Sequence, residues 1–227
     1  MNIFTRIFQH NWPAIIYFNF KMLPLKQAIH LPFDFYHKVR FNDLSGKIVL
    51  KHKPYRGMIK IGGRGSDIFP CQCSVITLQG KWELGAGIEL GTGISIVIKE
   101  SGNLIFGNNI RLGAYTKIYC EELITMASQI GVSWESQIFD TNFHFIQNVE
   151  TKETYPIHAP IKIGSFCWFG NRVNIMKGTV VPDYTIVASN SLCNKDYSDI
   201  PHYSIMAGTP VKLKKSGYKR LFEGVDL

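Results

Sequence analysis

Between Ile163 and Leu192 large apolar residues recur every six positions, at Ile163, Phe169, Ile175, Val181 and Val187. Four positions after each stands a small or β-branched residue: Cys167, Val173, Thr179, Thr185 and Ser191. Gly164, Gly170 and Ala188 directly follow three of the apolar residues. A period of six is neither the 3.6 of a helix nor the 2 of a lone strand, and it predicts a repeat architecture. One short strand per six residues, turned through a corner and stacked on the strand a full coil earlier, buries each apolar side chain in a narrow interior. The period is also firm at Phe106, Leu112, Ile118, Ile124 and Ile130, with Gly107, Gly113 and Gly131 following three of these. It is fainter through Ile76, Trp82, Ile88 and Ile94 and fails at Glu100. The Gly-rich run from Gly85 to Gly93 suits tight corners. Glu122 stands at a small-residue step, which predicts a distorted corner.

The two regular blocks are out of phase. The interval from Ile130 to Ile163 is not a multiple of six, so the chain leaves the coil between them. The interval is polar, ends in Pro160, and predicts a loop projecting over 140–160 that carries His144. Loops on a rigid scaffold are where chemistry usually sits. At about 18 residues per coil, less the loop, Trp82 to Leu192 gives roughly five coils, a prism on the order of 25 Å tall at ~4.8 Å per strand. Residues 1–45 do not fit the repeat. Pro13, Pro24 and Pro32 break any long helix there, and short helices capping the open end of the coil are expected. A second reading of that segment is a basic, aromatic surface that leans on a membrane. The coil is then expected over 46–212 and a basic tail over 213–227, with a short helix at Gly217 to Phe222.

Composition narrows the classes. The 227 residues suffice for one domain with appendages. A net charge of +8 suits a partner carrying phosphate. The basic residues are scattered rather than blocked and no nucleic-acid motif occurs, so nucleic acid is not expected as a partner. Cys167 sits at a small-residue step and Cys193 at the next apolar step, so both read as buried hydrophobes in a reducing cytosol. Cys71 and Cys73 lack a His at zinc spacing. The longest apolar run near the start, Ala14 to Phe18, falls far short of the ~20 residues of a spanning helix. No signal peptide is recognised, and a soluble, cytoplasmic protein is expected.

Three segments add a resemblance: FDTNFH at Phe139 to His144, CWFGNRV at Cys167 to Val173, and AGTPVK at Ala207 to Lys212. With the repeats, they make the C-terminal half similar to the hexapeptide-repeat acyltransferases, most nearly the sugar O-acetyltransferases of the maltose, galactoside and surface-polysaccharide type. The resemblance implies an all-β fold, a left-handed parallel β-helix, where the general crossover rule alone would favour the right-handed sense. It also implies acetyl-CoA as donor, a homotrimer with each site between two subunits, and no metal. The carbonic-anhydrase branch of the fold binds zinc through closely spaced histidines, and no H-x4-H pair exists here.

Acyl transfer to a hydroxyl needs a base for the hydroxyl proton, and neutral imidazole suits that task near pH 7, contributing typically ~10²–10⁴-fold. His144 occupies the place of the base in the D-T/S-x-x-H loop of these transferases. Asp140 has three open roles: to orient the imidazole, to bind the acceptor sugar, or to cap the turn. Asn142 stands where relatives often carry an acid and is an acceptor-contact candidate. By resemblance, Trp168 lies beside the acyl and pantetheine end, near the substrate as well as the coenzyme. Gly170 and Ala188 meet the pantetheine arm. Asn194 and Lys195 match the T-K pair after the last coil, and Ala207, Gly208, Thr209, Pro210 and Lys212 lie along the adenine and its phosphates, with Thr209 where Asn is usual. Lys195 and Lys212 would pair with phosphate. The expected function is acetyl-CoA-dependent O-acetylation of a sugar hydroxyl in surface-polysaccharide synthesis. The alternatives are N-acylation of an amino sugar or nucleotide-linked amino sugar, and a non-catalytic β-helix scaffold.

Overall fold

The computed structural model describes residues 9–63 and 68–222. The chain forms a left-handed parallel β-helix whose three walls are parallel sheets of nine, seven and six strands, with a two-stranded hairpin outside them. Its backbone accounts for the period of six. Positive φ recurs at Phe166, Arg172, Gly178, Tyr184 and Asn190, one step of six apart each time, and each marks a corner between two short strands. Such a conformation is unfavourable for Phe, Tyr and Arg. It is held by bonds between coils, as from the Tyr184 amide to the Ser165 carbonyl (2.8 Å) and from the Asn190 amide to the Asn171 carbonyl (2.9 Å).

The small residue after each corner has a defined task. The Thr179 hydroxyl donates to the Met176 carbonyl at 2.6 Å and the Thr185 hydroxyl to the Pro182 carbonyl at 2.8 Å. Thr116 and Ser204 repeat the bond, to the carbonyls of Gly113 (2.9 Å) and Pro201 (2.6 Å). Each bonds a corner carbonyl to a side chain that is itself fully buried, the satisfaction that buried backbone groups require. Between the corners the apolar residues of the six-step, Ile163, Phe169, Ile175, Val181 and Val187, all point inward and are buried, as are Cys167 and Cys193.

Coil length varies along the prism. Trp168 lies beside Ile186 and Asn174 beside Leu192, three steps of six in each case. Earlier coils are longer. Ile110 lies beside Ile130 and Glu89 beside Arg111, the first pair two positions further apart than three steps of six and the second pair four. The residues Phe106 to Ile130 of the six-step are therefore buried without stacking on one another; Leu112 packs on Val132, not on Ile130. The extra residues lie in corners such as Lys99 to Gly102, closed by a bond from the Gly102 amide to the Lys99 carbonyl (2.8 Å), and this is where the period fails at Glu100. The largest wall contains eight parallel strands and one antiparallel strand. Each wall holds five strands between Trp82 and Leu192, the five coils expected for that span; with the coils outside it, seven spacings of ~4.8 Å make the prism about 34 Å tall.

Both ends depart from the expected boundaries. The first coil begins before Gly46: Phe33–Phe35 pairs with Ile59–Ile61, and Val39–Leu44 with Ser74–Leu78. The cap is the helix Trp12–Met22, started by Asn11, whose side chain accepts from the Ala14 amide, with Pro13 in its first turn. Phe18 packs its ring against Phe33, Phe35 and Phe41 with centroids 4.9–5.2 Å away. The buried Asn19 amide exchanges two bonds with the Phe33 backbone. At the other end Ser204–Gly208 and Val211–Ser216 form an antiparallel hairpin. No helix forms over Gly217 to Phe222. The strand Val211–Ser216 instead takes the free edge of the largest wall, and Gly217, at φ +85°, ends it.

Phe169 is fully buried and stacks between Val132 and Val187. Phe169→Ala is expected to destabilise the fold by about 3–5 kcal/mol, read as a lower midpoint in denaturant. Glu100→Ala, in the exposed corner, is expected to leave the midpoint within ~0.5 kcal/mol of wild type.

Candidate active site

The loop leaves the coil after the strand Gln137–Phe139 and returns at Ile161–Ile163. Its neck is backbone-bonded: the Ala159 amide donates to Asp140 (2.9 Å) and the Asn142 amide to Ile157 (2.8 Å). Lys177, on the following coil, reaches the Pro156 carbonyl. The tip is a small hairpin of Ile146–Gln147 against Thr154–Tyr155. Phe143 turns the chain at φ +65° and packs edge-on against Tyr119 (4.8 Å) and Phe139 (5.7 Å). That anchor fixes the next residue, His144, at the exposed foot of the hairpin, where its ring makes no hydrogen bond to any described residue.

Asp140 is fully buried. Its carboxylate accepts from the amides of Glu121 (2.8 Å), Glu122 (2.8 Å) and Leu123 (3.0 Å), the corner marked by Glu122. Among its three expected roles, the geometry supplies the cap. In the described structure both oxygens bond the corner and none bonds His144. Burial raises the carboxyl above its ordinary value, and the Glu121 and Glu122 amides pull against that shift without cancelling it. His158, at the end of the loop, bonds Glu122 at 2.9 Å.

Trp168 lies on another wall. It is half-buried on the outer face of the nine-stranded sheet, in a column where the register runs Lys60, Glu89, Arg111, Gly131, Trp168, Ile186 and Ile205. A groove of ≈ 1080 Å³ follows the upper part of this column, from Lys60 to Trp168. Glu89 ties its charges together, pairing with Lys60 at 3.1 Å and with Arg111 at 3.6 Å. Gly131 leaves a notch: a Cβ there would stand 3.1 Å from the Trp168 ring and 2.7 Å from the Arg220 guanidinium. Arg220 lies over Trp168 with 5.3 Å to the ring centroid.

The remaining expected contacts gather near the C-terminal end. The Gly170 amide donates to the Val187 carbonyl (2.8 Å) and the Ala188 amide to the Met206 carbonyl (2.9 Å). A Cβ on Gly170 would lie 2.6 Å from the Ser189 amide nitrogen, so the next coil itself requires glycine there. Ala207, Gly208, Thr209, Pro210 and Lys212 form the turn of the terminal hairpin, seated where the Gly208 amide meets the Ser191 hydroxyl (3.1 Å) and the Thr209 hydroxyl meets the Asn190 carbonyl (3.4 Å). Asn194 accepts from the Tyr197 hydroxyl (3.3 Å), and Lys195 is exposed beside the same ring. The fold thus brings 188–195 and 207–212 together, whereas His144 and Trp168 stand on different walls of one chain. Among the described residues no group of three or more His, Cys, Asp or Glu is placed to hold a metal ion.

No protein-family model matches the chain. The putative lipopolysaccharide biosynthesis O-acetyl transferase WbbJ of Escherichia coli (strain K12) is 24% identical over 160 residues, covering 65% of this chain and 76% of its own length. The probable acetyltransferase Rv3034c of Mycobacterium tuberculosis is 26% identical over 176 residues, covering 75% of this chain, which spans about half (54%) of that relative. The polySia-specific acetyltransferase NeuO superposes with a TM-score of 0.58 at 19% identity, over 86% of this chain and 85% of its own. The chain resembles the hexapeptide-repeat acyltransferases in sequence and in fold. The Lys60–Glu89–Arg111 ladder and Arg220, which line the groove, were not legible in the sequence as neighbours. The strands IEL and IRL do show a charged residue between two buried ones, but their adjacency depends on a coil longer than the period of six predicts.

Asp140→Asn replaces one acceptor oxygen by an amide that faces backbone N–H groups, and is expected to cost about 1–3 kcal/mol near neutral pH. A carboxyl raised in the folded state binds its proton more tightly there, so wild-type stability relative to the variant should grow as the pH falls through the raised folded value, levelling off below the unfolded value. Urea titrations of both proteins at several pH values check this. The opposite slope would mean that the amides outweigh burial.

Proposed function

We propose that the chain is an acetyl-CoA-dependent O-acetyltransferase acting on a sugar hydroxyl of a surface polysaccharide or its precursor. The observation that carries this reading is His144: an imidazole without a hydrogen-bond partner among the described residues, held at the foot of the hairpin where the chain leaves the coil between Phe139 and Ile161. Its ring would take the proton of the acceptor hydroxyl as that oxygen attacks the thioester carbonyl. The tetrahedral intermediate would then collapse with departure of the coenzyme thiolate. Asp140 contributes at a distance, by fixing the corner from which the loop departs.

The separation of His144 and Trp168 on one chain supports a homotrimer with the loop of one subunit against the outer wall of the next, since a prism with flat walls buries surface by packing on its own copies. Trp168 would then flank the acetyl group, with the donor running past Gly170 and Ala188 towards Asn194, Lys195 and the Ala207–Lys212 turn. Lys195 and Lys212 are exposed there and suit phosphate. The groove on the other side of Trp168, with Arg111, Glu89 and Lys60, suits the hydroxyl-rich acceptor, and Asn142 contacts it from the loop. Acetyl-CoA as donor implies action on the cytoplasmic side.

Thiol release from acetyl-CoA, measured with a panel of sugar and amino-sugar acceptors, tests the proposal. Acceptor-dependent release should fall by about 10²–10⁴-fold in His144→Ala. Release that survives the substitution removes His144 as the base, and release with amines alone would replace the hydroxyl by an amino group as acceptor.

A further inference from the structure

We propose that the N-terminal end of the prism docks on an anionic phospholipid bilayer. The helix Trp12–Met22 is apolar on both sides. Ala14, Ile15, Phe18 and Asn19 face the first coil and are buried, while Trp12, Ile16, Tyr17 and Phe20 on the opposite side are 39%, 52%, 53% and 48% exposed. A helix that is hydrophobic all round calls for apolar surroundings on every side, and the coil supplies them on one. The patch continues past the helix into Leu25 (68%) and Ile29 (59%).

Charge identifies what covers it. The basic residues form no run along the sequence, yet their balance is lopsided. Residues 1–63 contain ten Lys and Arg against two Asp and Glu, and residues 64–227 contain fifteen of each, so the net +8 resides entirely in the first 63. One of the two acids, Asp34, is buried and pairs with His10 (2.8 Å) and Arg56 (3.6 Å). Lys21 and Lys26 are exposed at the edge of the apolar patch, and Lys21 shares a hollow with Lys47.

Aromatic and aliphatic side chains with lysines at one edge match the acyl boundary and the negative surface of an anionic leaflet. A second copy of the chain fits poorly, because it would bring two strongly cationic ends together. At eleven residues the helix lies on the surface and does not cross it. The inference is independent of the acyl-transfer reading.

The full chain, sedimented with vesicles of phosphatidylcholine alone or with about one-third phosphatidylserine, provides the test. Wild type should pellet with the anionic vesicles, less at high salt, and not with phosphatidylcholine alone. Ile16→Ser/Phe20→Ser and, separately, Lys21→Ala/Lys26→Ala should each lower partitioning by about tenfold or more. Both pairs are exposed, so unchanged circular dichroism is expected. Wild-type failure to bind, or equal binding by the variants, overturns the proposal. So does concentration-dependent self-association of wild type that Ile16→Ser/Phe20→Ser abolishes, which would assign the patch to a second copy.

Discussion

The corner is the constraint on which this molecule depends. A strand of two to six residues bonds to the coils above and below, but where the chain turns its amides and carbonyls leave that ladder and need other partners. The regular corners resolve this in two ways: a bond from the coil above or below, and a hydroxyl that returns to the carbonyl three residues back. Side chains matter in the second. Thr and Ser recur there because they are small enough for the interior and bring a donor with them.

The projecting loop is the exception that makes a site. One coil earlier, the corner amides of Lys99 and Asn103 meet the Cys120 and Glu122 carbonyls of the following coil. At Glu121 to Leu123 the following coil is absent, because the chain has left the prism at Asp140. The Asp140 carboxylate stands in for those missing carbonyls and bonds all three amides. One buried carboxyl group thus gives three amides of the interrupted corner their partners, and the interruption is what exposes His144. The acid that the motif places beside the histidine therefore acts on the scaffold that presents it.

The two ends differ for a related reason. At the C-terminal end an antiparallel strand covers the open edge of the largest wall, a device that blunts an edge against unwanted pairing. At the N-terminal end the open face is apolar rather than hydrogen-bonding, and an aromatic helix covers it. Phe18, Phe33 and Trp82 continue from cap to coil as one packed column, with neighbouring ring centroids 4.9 and 6.2 Å apart.

The sequence alone determined the architecture from Ile163 to Cys193, because there each strand lies three steps of six from the next in its wall and the period repeats without slippage. It also located the projecting loop, since the polar stretch ending in Pro160 between two out-of-phase blocks is too long for a corner, and it singled out His144 and the segments CWFG and AGTPVK. The five coils between Trp82 and Leu192 were legible too, but those from Phe33 to Leu78 were not, because the six-step is faint or absent there. The C-terminal strand was also missed, as Val211–Ser216 alternates weakly and is a strand only because an open edge awaits it. Tertiary structure alone decided the bonds that Asp140 makes, the charged ladder beside Trp168, and the separation of Trp168 from His144. Each depends on which residue lies one coil away, and that distance is set by the corners rather than by the repeat.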